Sequence, residues 1–103
     1  MTIPNTLKRE IRPTHPGEML REDFLPDCGL TPEILADALD VPLSAVNELL
    51  NERSSLTPAM ALRLSKLFGN TPMFWLNAQH CIDLWYAEQN ISESLAHIRP
   101  LAA

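Results

Sequence analysis

Leu56-Thr57-Pro58-Ala59-Met60-Ala61-Leu62-Arg63-Leu64-Ser65-Lys66-Leu67-Phe68-Gly69 runs, across Asn70, into Thr71-Pro72-Met73-Phe74-Trp75-Leu76-Asn77-Ala78-Gln79-His80-Cys81-Ile82-Asp83-Leu84-Trp85. This stretch reads as two helices opened by the same device. A threonine oxygen accepts from free N–H groups of the first turn, and proline at the first helical position gives up an N–H that had no partner. The dipeptide stands at Thr31-Pro32, Thr57-Pro58 and Thr71-Pro72, so three helix starts share one notation.

On a helical wheel, Met60, Ala61, Leu64, Leu67 and Phe68 fall on one side of the helix over 58–68, with Arg63 and Lys66 on the other. The next helix, 72 to about 88, is apolar nearly all round. Phe74, Trp75, Ala78, Cys81, Ile82, Trp85 and Tyr86 cover one broad arc, enough for a core. Met73, Leu76 and Leu84 lie on the opposite arc among Asn77, Gln79, His80 and Asp83. An apolar surplus of this kind calls for a second chain, so the pattern predicts a homodimer through Met73, Leu76 and Leu84, with an intramolecular tail as the rival cover. A last short helix is expected over 92–98, with Leu95 and Ile98 turned inward and Pro100 as its stop.

Upstream, residues 1–13 are polar, interrupted by Pro4 and Pro13, and read as a mobile arm; the helical domain is expected over 14–103. His15-Pro16-Gly17-Glu18 starts a first helix, with acids near the positive end of its dipole and Cys28-Gly29 as its stop. Thr31 to Leu39 reads as a short second helix and Ser44 to Asn51 as a third. Between them, Asp40-Val41-Pro42 forms a tight turn with Asp40 at a left-handed position. Two short helices joined so closely form a helix-turn-helix pattern. No strand pattern appears, and the expected fold is an all-α five-helix bundle with a short C-terminal helix.

A chain of 103 residues with 46% apolar content can build one core without metal or disulfide. Cys28 and Cys81 are far apart and read as free thiols of a reducing compartment. No run approaches the ~20 apolar residues of a membrane span, and no leader pattern opens the chain, so a cytoplasmic location is expected. The net charge of −5 is unevenly spread. Residues 1–16 carry +2 (Lys8, Arg9 and Arg12 against Glu10), whereas residues 17–56 carry −7, with Arg21 and Arg53 facing nine acids. An acidic middle suits a basic partner better than a phosphate backbone. Enzyme readings find no phosphate loop, no nucleophile beside a base and no metal cluster; no cofactor, metal or small-molecule ligand is expected. His80 beside Cys81 is a poor metal pair because neighbours on a helix diverge by about 100°. His15 needs no chemistry beyond capping the first helix, and the aromatics at helical spacing read as core.

His15-Pro16-Gly17-Glu18-Met19-Leu20-Arg21-Glu22, the helix-turn-helix, Leu56-Thr57-Pro58-Ala59-Met60-Ala61 and Phe74-Trp75-Leu76-Asn77-x-Gln79, in this order, resemble a HigA-type antitoxin, an Xre-like addiction-module antidote protein. The resemblance covers roughly residues 13–89. It implies a five-helix domain dimerised through its C-terminal part. The implied activity is twofold: neutralising a HigB-like toxin, a small basic mRNA endonuclease, and repressing its own operon at an operator palindrome. By position, the recognition helix falls on Leu43 to Asn51. Ser44, Asn47, Glu48 and Asn51 are then candidates for the DNA-facing surface, since asparagine can pair with adenine and a carboxylate can accept from cytosine. Arg53, Lys8, Arg9 and Arg12 are candidates for phosphate contacts. The Asn77–Gln79 part of the motif suggests bonding between helices.

Three positions depart from the family's habit: Asp40 where glycine is common, Pro42 in place of Ser or Thr, and Glu48 in place of a basic or small polar residue. With no cation on the recognition helix itself, DNA affinity should be modest, strongly salt-sensitive or dependent on the arm. Two further readings stay open: a stand-alone Xre-type transcriptional regulator with no toxin partner, and a protein-binding module that has lost DNA binding.

Overall fold

The computed structural model describes residues 11–101, all of whose regular elements are helices. Helix α1 is continuous but changes pitch twice, running α-helical over Pro16–Met19, as a π-turn over Leu20–Phe24, and α-helical again over Leu25–Cys28. The π-turn, in which the Leu25 N–H reaches the Leu20 carbonyl, lies immediately before Pro26. Proline has no N–H to give and its ring crowds the preceding turn; the wider turn accommodates both defects without breaking the helix. Gly29 then closes α1 at φ 65°.

Helices α2 (Pro32–Leu39) and α3 (Leu43–Leu50) form the helix-turn-helix, followed by α4 (Pro58–Phe68) and α5 (Pro72–Ala96). The Thr-Pro notation is confirmed at all three sites. Thr31, Thr57 and Thr71 each accept at 3.2 Å from the N–H three residues on. Asp40 holds the expected left-handed conformation, φ 57° and ψ 49°, at the end of α2. Leu20, Leu35, Val46, Leu64 and Trp75 fill the core, and Phe24 stacks against Phe68 and Trp75 with ring centres 4.9 Å away in each case.

Helix α5 departs from its wheel. The buried seam is Trp75, Gln79 and Ile82, a spacing of four and three that meets α4 and α1. Gln79, expected outside, is buried, whereas Phe74, Cys81 and Tyr86, expected inside, are exposed. Leu76, expected at a dimer surface, packs half-buried against the core. Met73 and Leu84 remain exposed, at 51% and 63%. The expected C-terminal helix from Ser92 is present, joined end to end with the rest of α5 across a kink. Residues 92–96 continue α5 past a single break at Ile91 (φ −118°, ψ 18°), and Leu95 and Ile98 face outward rather than inward. The α4 wheel errs in one place: Ser65 is buried, donating to the Leu62 carbonyl, and Leu67 is exposed.

Candidate nucleic-acid interface

Helix α3 buries Val46, Leu49 and Leu50 and turns Ser44, Asn47, Glu48 and Asn51 outward. Steps of three and four place these four side chains in one stripe. Their side chains make no hydrogen bond or ion pair within the described residues. The N-terminus of α3 follows Pro42, which offers no side-chain cap, so no side chain covers the N–H groups of Leu43 and Ser44.

Both helices of the motif have their C-terminal ends held from elsewhere in the chain. Arg63 on α4 donates to the Leu39 carbonyl at 2.6 Å and the Asp40 carbonyl at 3.2 Å, ending α2. Arg21 on α1 donates to the Leu50 carbonyl at 2.6 Å, ending α3. A cation there satisfies carbonyls that lack partners and opposes the negative end of the helix dipole. Just beyond, Glu52 takes a left-handed conformation (φ 60°), which costs about 1 kcal/mol for a residue with a Cβ. It is held by Arg12 at 2.9 Å and Arg21 at 3.3 Å. Burial pushes the Glu52 carboxyl up, but the bonds from Arg12 and Arg21 outweigh it and hold the group below its ordinary range.

The segment after α3 is pinned from two other sides. His15, buried at the head of α1, accepts from the Gly17 N–H at 2.9 Å through Nδ1, and the Ser54 backbone weakly favours its charged form. Burial holds the imidazole below its ordinary value. Gly17 lies so close to α3 that a Cβ there would meet the Leu49 carbonyl oxygen at 1.8 Å. Gln79 of α5 accepts from the Leu56 N–H at 2.8 Å and donates to Asp83 at 2.8 Å.

Arg53 is exposed beside this segment. Arg12, expected on the arm, is instead tied to the body by Glu52 and by the Tyr86 hydroxyl, to which it donates at 3.1 Å. Lys8 and Arg9 lie outside the described residues. His80 and Cys81 are both exposed, and no group of three His, Cys, Asp or Glu side chains suited to a metal ion occurs among the described residues. No helix of the described residues is long and apolar enough to cross a membrane.

Residues 20–76 match the Helix-turn-helix family profile. Antitoxin HigA-1 of Vibrio cholerae serotype O1 is 40% identical over 94 residues, 91% of this chain and 89% of that protein. The chain belongs to the HigA-type antitoxin family. Among solved members, the Pseudomonas aeruginosa antitoxin HigA with higBA promoter superposes with a TM-score of 0.83 at 36% identity, covering 87% of this chain and 99% of that one. Antitoxin GraA in complex with its operator gives 0.82 at 45% identity, covering 90% and 95%. For a HigA-type chain, reading from sequence missed Arg21, Arg63 and Glu52, whose roles depend on partners 23 to 40 residues away. A weak signal was available: Glu52 follows Asn51 where a helix ends, a common left-handed position.

Proposed function

We propose that this chain is an antitoxin and autorepressor that works as a homodimer. It binds operator DNA through α3 and neutralises a small basic HigB-like toxin. The observation that carries the reading is the outward stripe Ser44, Asn47, Glu48 and Asn51 on a helix whose far end is clamped by Arg21. Unpartnered polar groups on a rigid element are what base-edge recognition needs. Asn47 reads a base and Arg53 holds phosphate, with Lys8 and Arg9 adding further phosphate contacts. Arg12 supports the head from inside through Glu52. Two copies pair through α5, where Met73 and Leu84 are exposed, as are Ile91, Leu95 and Ile98 further along the chain. The paired recognition helices then enter successive major grooves about 34 Å apart.

Relatives solved with a promoter or an operator support the DNA half of this reading. The exposed acids of α1 and α2 (Glu22, Asp23, Asp27, Glu33 and Asp37) supply the charge that a basic toxin would meet. No step of this function is catalytic. A gel shift on the chain's own upstream sequence, at low and moderate salt, tests the repressor half. Retarded complexes that weaken steeply with salt are expected, and no complex at either salt, with or without toxin, would overturn it. Co-expression with the neighbouring reading frame tests the antitoxin half, with restored growth as the expected outcome and unrelieved toxicity as the refutation.

A further inference from the structure

We propose that Gln79 is a positioning residue for operator reading, because it locks the segment behind the recognition helix to the helix through which two copies pair. The inference rests on the dimeric DNA-binding reading above. Leu56 is buried, and its N–H finds its acceptor in Gln79, which is itself 4% exposed. The amide cannot turn round. Its Nε2 donates to the Asp83 carboxylate one turn further along α5, which leaves Oε1 facing Leu56.

The rest of the α5 seam is Trp75 and Ile82, packed on α4 and α1. Apolar packing is non-directional and tolerates small slides, whereas a hydrogen bond weakens steeply when its angle or length is wrong. Gln79 therefore sets the register of this seam against the reading head, alongside the exposed Tyr86–Arg12–Glu52 bridge further along α5. The magnitude is relevant to DNA. A slide of one residue along a helix is ~1.5 Å, and two protomers together give ~3 Å. That is close to the ~3.4 Å rise of one base pair. A slack Gln79 contact would blur the separation of the two heads by about one step of the operator.

The test compares operators with half-sites at native spacing, with one base pair inserted or removed, and with a single half-site. The wild-type chain should lose about tenfold or more in affinity on a one-pair change, the scale of a misplaced contact. Gln79→Leu should reduce that discrimination to about threefold or less, with single-half-site affinity within about twofold of wild type. Gln79→Glu sets two carboxylates against each other and should behave alike. Adding Asp83→Asn supplies an N–H donor to the new carboxylate and should restore wild-type spacing discrimination, which also covers the case in which the leucine variant fails to fold. Folded Gln79→Leu or Gln79→Glu chains with wild-type spacing discrimination would overturn the inference. Failure of the double variant to recover would overturn it too. A wild-type chain that binds no operator would instead refute the DNA reading on which it stands.

Discussion

Gly17 and Asn47 separate most cleanly into a structural role and a proposed role in recognition. At Gly17 the N-terminal turn of α1 presses on the carbonyl of Leu49, and a methyl group there would overlap the oxygen. The obstacle is backbone, which cannot rotate away as a flexible side chain can. Gly17→Ala should therefore cost about 2–3 kcal/mol or more, read as a lowered midpoint in urea, and displace α3. Asn47 is exposed and its side chain bonds to nothing among the described residues, so its loss should leave stability within about 0.5 kcal/mol. Asn47→Ala should instead weaken operator binding by about 1–3 kcal/mol and relax preference at one base. A change confined to salt dependence would show that Asn47 meets phosphate and reads no base.

At the scale of the element, the helices owe their ends to two kinds of cap. Thr31, Thr57 and Thr71 are local caps, each serving its own first turn for about 1 kcal/mol. Arg21 and Arg63 reach their partners through tertiary structure, whereas His15 is a local cap that responds to pH. His15 can accept from Gly17 only while Nδ1 is unprotonated. Glu52 and Asp83 favour its charged form and Arg12 opposes it, but burial dominates and lowers its value below the usual ~6.5. The folded chain thus binds fewer protons than the unfolded one in that window. Its stability is full above about pH 6.5 and falls as the pH drops through the folded value. Glu52, also held low, adds a second loss at more acidic pH. In urea titrations between pH 7.5 and 5, His15→Asn, which can still cap but does not titrate, should flatten the first of these slopes.

For the whole molecule, the decisive asymmetry is between an apolar surface that is covered and one that is not. Leu76 rests on the core, while Met73, Leu84, Ile91, Leu95 and Ile98 do not. Leu84→Asp removes an exposed side chain, so the subunit's fold should change in stability by no more than about 0.5 kcal/mol. The same change places a charge in the proposed pairing surface, and analytical ultracentrifugation should find monomers where the wild type is expected to form dimers. Monomers should then bind a single half-site almost normally but lose the avidity of the palindrome. A wild-type chain already monomeric at micromolar concentration would remove this account of pairing.

Much was legible from residue identity because the rules involved are local. Thr-Pro starts a helix, Gly29 and Gly69 end one, and Asp40 tolerates φ 57°, each through atoms within a turn of the residue itself. The spacing of α3 was legible for the same reason: three buried side chains leave one definite outward stripe. The π-turn of α1 had a local cause in Pro26, but no pattern distinguished it from a break. The inward face of α5 was legible only in part: Trp75 and Ile82 fell on the expected arc, but a helix apolar nearly all round does not fix the exact seam. Tertiary structure chose it by placing the Leu56 N–H where only an acceptor on that helix could satisfy it, which drew Gln79 in and turned Tyr86 toward Arg12. Sequence determined where each helix begins and ends, because caps and turns are short-range. Only packing determined the exact seam of the last helix, because unsatisfied groups far apart in the chain had to find one another.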